Sequence, residues 1–195
     1  RLIFTSSSSV YGNSQQIPFR EDDPVLSPLS IYAATKRAAE LACRVYARNY
    51  GIKTTVLRLF TVYGPNNRRD MAAFTFTRDI LVGKTIKLFG KETSRDFTYV
   101  EDIVDGIMRA INRPMAYEII NLGNSVPVTV QQLIKDIEAA TGKKAKVSLG
   151  RLPTADPQKT WADVTKAKRF LGWQPKTNLK QGVANLVNWF KLTQV

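Results

Sequence analysis

Short β-branched apolar runs alternate with longer amphipathic stretches along the whole chain, and this alternation limits the fold more than any other feature. Residues 1–5 read as a buried strand. A loop rich in Pro, Ser and Asp follows over residues 12–28, then a long helix over residues 29–50, started by Ser27-Pro28 and stopped by Gly51. Residues 52–60 form a second β-branched strand, broken by Gly64-Pro65-Asn66-Asn67. Residues 71–82 read as a helix, 85–89 as a short strand and 96–99 as extended. Residues 100–112 make an amphipathic helix with Ile103, Ile107, Ala110 and Ile111 on one face. A strand at 117–121, a helix at 129–141 capped by Thr129 and closed by Gly142, and a strand at 145–149 come next. Helices at 165–171 and 179–192 finish the chain. Such alternation predicts an α/β fold with a mainly parallel sheet. Parallel sheets bind ligands beyond the carboxyl ends of their strands, which points to Ser6 to Ser9 and to Thr61.

A chain of 195 residues can bury one sizeable core, or one core and a small subdomain. No apolar run approaches the roughly 18 residues of a membrane span, so no membrane association is expected. Without histidine, a Ser-His-Asp triad is excluded, and with a single cysteine a zinc site has no ligand set, so no metal is expected. Cys43 has no internal disulfide partner, which fits a reducing, cytoplasmic setting. The net charge is +13, but the basic residues are dispersed, Lys143-Lys144-Ala145-Lys146 being the tightest group. Nucleic acid is therefore not the expected partner. The charge suits either an anionic small substrate or a more acidic companion segment.

The serine run Ser6-Ser7-Ser8-Ser9, at the end of the first strand, leads into Val10-Tyr11-Gly12. Tyr32 and Lys36 follow at helical spacing, so both project from one face. A free tyrosine has a pKa of about 10, so general-base work near neutrality needs about three units of help. An ammonium one turn away supplies part of it, and a serine hydroxyl can share the proton between substrate and base. The alternative is an incidental Tyr and Lys on a surface helix; the serine run before them favours the chemical reading.

These motifs resemble those of the extended short-chain dehydrogenases/reductases, specifically the nucleotide-sugar epimerases, and the resemblance extends over essentially the whole chain. The branches it is most similar to are the UDP-glucuronate and UDP-glucose 4-epimerases. The resemblance implies a C-terminal part of a Rossmann-like parallel sheet, with the catalytic residues in 1–65. A small α+β domain for the UDP-sugar spans 66–195, with 100–122 returning to the sheet. It further implies Ser7, Tyr32 and Lys36 as catalytic residues and NAD as cofactor, held near Tyr32, Lys36, Phe60 and Val62. NAD would take a hydride from sugar C4 and return it to the opposite face.

Arg68-Arg69-Asp70-Met71-Ala72 resembles an Arg-Pro-Asp-Met-Ala motif of the glucuronate branch, with Arg69 in place of proline. By this resemblance Ser8, Ser9, Thr61 and Arg68 face the sugar carboxylate, which a guanidinium can pair bidentately. Phe89 packs on uracil, Arg95 binds the diphosphate, and Asp156 lies where the family supplies a further phosphate contact, with Arg151 a substitute. A homodimer is implied for the complete enzyme.

The departure from the family is at the front. None of the eleven glycines makes the GxxGxxG turn that cradles a dinucleotide pyrophosphate. The chain is accordingly expected to be a C-terminal fragment, an incomplete gene product or one piece of a split protein. Two other functions stay open. One is a sugar-nucleotide dehydratase or decarboxylase, although those relatives place acids where Ser8 and Ser9 stand. The other is a non-catalytic UDP-sugar-binding module.

Overall fold

The computed structural model describes residues 1–90, 93–150 and 159–193. Strand β1 (Leu2–Ser7) runs through Thr5, the expected end, and takes in two of the four serines. The chain then tightens into a 3₁₀ turn over Ser8–Tyr11, with the Ser7 hydroxyl accepting from Ser9 N–H. Helix α1 (Ile31–Tyr50) starts later than Ser27-Pro28 suggests, because Ser30 is the residue whose hydroxyl accepts from Ala33 N–H. Gly51, in the left-handed region, closes it as expected.

The second strand was expected to run continuously over 52–60. It divides into β2 (Thr54–Leu59) and β3 (Thr61–Tyr63), which belong to different sheets. The break falls at Phe60, whose N–H bonds Leu122 O while its ring turns into a cluster with Tyr11 and Phe19. Helix α2 (Ala72–Leu81), strand β4 (Thr85–Phe89), strand β5 (Ser94–Tyr99) and helix α3 (Val100–Asn112) follow. Then come β6 (Tyr117–Leu122), the short strand β7 (Pro127–Thr129), α4 (Val130–Thr141), β8 (Lys146–Gly150), α5 (Thr165–Leu171) and α6 (Leu179–Thr193). The sequence does not set β3 apart from β2, and it gives no sign of β7. Three residues are too few to carry a period-2 pattern.

Strands β1, β2 and β6 form a parallel sheet in that order. Its register sets Ser6, Arg58 and Asn121 in one row at the carboxyl end. Under this sheet lies a core of Leu57, Ile120, Leu122, Ile103 of α3, and Ala167, Leu171 and Trp173 from the α5 segment. The Trp173 indole N–H donates to Asp102 O at 2.8 Å, which resolves the one polar atom of a fully buried ring. Ile103 and Ala110 are buried on α3, but Ile111, placed with them by periodicity, is 42% exposed. The core covers a narrower arc of the helix than the apolar pattern does.

A second core gathers α2, α4 and α6 around β3, β4 and β5, with Tyr63, Phe97, Ile86, Leu133 and Val187 at its centre. Strand β3 pairs parallel with β5, β5 antiparallel with β7, and β4 parallel with β8. The break at Phe60 thus hands the chain from the first core to the second, and that junction is where the cavities open.

Candidate active site

Two cavities meet at the β2–β3 junction. The larger, about 490 Å³, is lined by Ser7, Ser8, Tyr32, Lys36, Phe60, Thr61, Val62 and Arg68, among others. The smaller, about 280 Å³, is lined by Lys87, Phe89, Thr93 and Arg95. Thr61, Val62, Tyr63, Asn67 and Met71 line both, so the two are lobes of one cleft.

Lys36 reaches back from α1 and donates to Thr5 O at 2.8 Å. Its ammonium stands 5.1 Å from the Phe4 ring centroid and 5.8 Å from that of Tyr32. Tyr32 is half exposed, and its hydroxyl makes no hydrogen bond to a described residue. The Ser7 hydroxyl accepts Ser9 N–H at 3.2 Å, which fixes the oxygen and leaves its proton able to donate into the cleft. Ser8 lines the cleft but Ser9 does not, contrary to expectation. The 3₁₀ turn rotates Ser9 inward, where its Oγ is buried without a partner.

Behind these groups lies a buried polar frame. Arg58 and Glu40 are almost wholly buried and pair bidentately, Nε to Oε1 and Nη2 to Oε2, each at 2.9 Å. Ser6 Oγ donates to Glu40 Oε1 at 2.6 Å, and Arg37 adds a bond to Oε2 at 3.1 Å. Glu40 lies one helical turn beyond Lys36, so the pair clamps the helix bearing Tyr32 and Lys36 to β1 and β2. Burial alone would raise the Glu40 carboxyl, but Arg58, with Ser6 and Arg37, holds it below the usual carboxylate range. The Tyr11 ring lies 4.8 Å from the Arg58 guanidinium, and its hydroxyl donates to Asn121 Oδ1 at 2.7 Å. Burial pushes the Tyr11 phenol well above the tyrosine range, so it stays a neutral donor.

At the rim of the larger lobe Arg68 is mostly exposed and forks onto Asp70 two residues on. Its guanidinium already holds a carboxylate. Phe89 and Arg95 both line the smaller lobe, Arg95 also donating to Ser94 O at 3.0 Å. Asp156 and Arg151 lie outside the described residues. Among the described residues no cluster of His, Cys, Asp and Glu could hold a metal ion, and no helix is long and apolar enough to cross a membrane.

Sequence reasoning missed Asn67, which lines both lobes with its Nδ2 buried and unpartnered, and Lys87 in the smaller lobe. Lys87 was within reach, since it lies two residues before Phe89 and so shares its strand face. Asn67 gave no signal beyond its place in a turn.

A model of the NAD dependent epimerase/dehydratase family matches residues 1–123. The chain is 45% identical over 193 residues to a UDP-glucuronate 4-epimerase of Thermodesulfobacterium geofontis, covering 98% of this chain and 59% of that protein. It also superimposes on a solved UDP-glucuronic acid 4-epimerase from Bacillus cereus, in complex with UDP-glucuronic acid and NAD. There the TM-score is 0.92 at 34% identity, over 97% of this chain and 61% of the other. For a UDP-glucose 4-epimerase with UDP-glucose from Thermotoga maritima the TM-score is 0.93 at 33% identity, over 99% and 64%. The chain thus spans about 59% of the length of that relative. With the serine strand end, the Tyr32/Lys36 helix and the two-lobed cleft in one frame, the match over residues 1–123 means that this chain belongs to the NAD-dependent epimerase/dehydratase family.

Proposed function

We propose that this chain carries the substrate side and the proton-transfer groups of an NAD-dependent UDP-sugar 4-epimerase, with UDP-glucuronate as its preferred substrate. The observation that carries the reading is the cleft itself. One lobe gathers Ser7, Tyr32, Lys36 and Arg68, and the adjoining lobe gathers Phe89 and Arg95. The nicotinamide end of NAD suits this donor set, because the Lys36 ammonium and Tyr32 hydroxyl can bond ribose hydroxyls beside the apolar Phe60 and Val62. The 195 residues contain no Gly-rich turn for the pyrophosphate. Bound NAD supplies the hydride chemistry at sugar C4.

This chain's residues do the rest. Tyr32 takes the proton from the C4 hydroxyl and later returns it. Ser7 donates toward the same oxygen and orients it. Lys36, tethered at Thr5 O, holds positive charge one turn from Tyr32 and favours the phenolate as the proton moves. Phe89 offers a face to uracil, Arg95 meets the diphosphate, and Ser8, Thr61 and Arg68 face the uronate carboxylate. A homodimer is supported by the half-exposed Val45 and Tyr46 and the more exposed Tyr50 along α1. A cytoplasmic setting is supported by the buried, unpaired Cys43.

The test is Tyr32→Phe in a complete enzyme bearing this sequence, followed by chromatographic separation of the C4 epimers. Turnover should fall by about 10²–10⁴ while UDP binding is kept. Turnover at the parent rate would overturn the assignment.

A further inference from the structure

Tyr32, Lys36 and Glu40 follow at intervals of four along α1, so they form one stripe of the helix. Two of them grip adjacent residues of β1. The Lys36 ammonium donates to Thr5 O at 2.8 Å, and Glu40 Oε1 accepts from Ser6 Oγ at 2.6 Å. Ser7, the next residue, ends the strand. Helix and strand are thus joined by two rungs, one helical turn apart, directly ahead of the Ser7 hydroxyl.

The Ser6 rung is not needed to satisfy the carboxylate. Arg58 Nε already donates to Oε1, and Oε2 accepts from Arg58 and Arg37. Arg58 stands on β2 and Arg37 on α1 itself, so those bonds do not reach the strand that carries Ser7. Among the side chains that bond Glu40, Ser6 is the one that belongs to β1. Both partners are buried, and a hydroxyl donating to a carboxylate at 2.6 Å is a short, charge-assisted bond. Tyr32 lies eight residues from Glu40, or about 12 Å along the helix. A tilt of about 5° at the Glu40 end would shift its ring by about 1 Å relative to Ser7, and misplacement of that size can cost about 10²-fold in rate.

We propose that Ser6 is a positioning residue for the proton transfer: through Glu40 it sets the separation of Ser7 from the Tyr32 hydroxyl. The inference rests on reading Ser7, Tyr32 and Lys36 as the proton-transfer groups of a UDP-sugar epimerase.

Ser6→Ala in a complete enzyme bearing this sequence tests it, assayed with UDP-glucuronate and with UDP-glucose. It leaves the Glu40–Arg58 pair in place, so Tm should fall by only about 2–4 °C. The kcat should fall about tenfold with KM within about twofold of the parent, the split expected when an interaction that serves the transition state is lost. The slowing of kcat in D₂O should grow, because proton movement becomes the slower step. Ser6→Thr keeps the donor and should recover most of the loss. Ile137→Val, a deletion in the second core of about 0.5–1.5 kcal/mol, controls for lost stability and should keep the parent kcat. Parent kcat in Ser6→Ala would overturn the proposal while leaving the epimerase reading standing. An equal fall in Ile137→Val, or a loss that Ser6→Thr does not recover and that carries no larger D₂O effect, would show mere destabilisation and overturn it too. A parent enzyme that turns over neither sugar would overturn the epimerase reading and this inference together.

Discussion

Replacing Glu40 with alanine should cost this chain much of its stability, and the structure sets the size. The carboxylate is wholly buried and receives four hydrogen bonds, two from Arg58 and one each from Ser6 and Arg37. Its removal strands the Arg58 guanidinium, itself 1% exposed, with the Tyr11 ring face as its remaining close neighbour among the described contacts. Breaking a buried pair by removing one partner costs about 3–5 kcal/mol. At about 2–4 °C per kcal/mol for a chain of this size, Tm should drop by roughly 6–20 °C.

The double variant Glu40→Leu/Arg58→Met removes both charges and should recover most of that loss, since apolar replacement of a buried pair is often neutral. Thermal unfolding followed by circular dichroism measures all three proteins. The pH dependence gives an independent check. The folded-state pKa of Glu40 is depressed, so the pair stabilises the fold above the unfolded value of about 4.3. That contribution is lost as pH falls through the folded pKa. The parent should therefore lose stability on acidification that the double variant never had. A Glu40→Ala protein within about 1 kcal/mol of the parent, or a double variant as unstable as the single one, would refute the reasoning.

Gly182→Ala should also destabilise, because a Cβ there would sit 2.1 Å from the Tyr63 hydroxyl oxygen inside the second core; overpacking of this kind costs about 1–3 kcal/mol, readable as a lower urea midpoint. Arg68→Ala in a complete enzyme should weaken UDP-glucuronate more than UDP-glucose, but by about fivefold or less, because the substrate carboxylate must displace Asp70 from an exposed guanidinium. Inhibition or binding assays on both sugars measure this, and equal losses would show that Arg68 does not read the carboxylate.

Periodicity located the long elements well, and the reason is physical. Helix α3 and strand β4 each present one buried face, and burial writes its period into the sequence. That Ser7, Tyr32 and Lys36 would line one cleft was legible for a related reason. Tyr32 and Lys36 share a helix and Ser7 ends the strand before it, so spacing alone carries their geometry. What could not be read depends on contacts between distant segments. The Glu40–Arg58 pair joins a helix to a strand through a register that nothing in either local pattern declares. Ser9 looked equivalent to Ser8 until the backbone turned between them. The division at Phe60 separates two sheets within one apolar run, because that ring has its own cluster to fill.

The Asn121 carboxamide accepts from Tyr11 and donates to the carbonyls of Phe19 and Asp163, at 2.7, 2.9 and 3.3 Å. Phe19 in turn bonds Trp161 and Asp163 through its backbone. One side chain thus joins three stretches of chain that are made far apart in time. At about 5–20 residues per second, residue 163 leaves the ribosome's catalytic centre roughly 8–30 s after residue 11. Until then Val10, Tyr11, Phe19 and Phe60 have no Ala162 to close over them. Such long-range closure is slow even in a finished chain. The half that bears Tyr32 and Lys36 therefore carries an open apolar cluster until residues 161–163 are made, and that interval is when a chaperone would have something to hold.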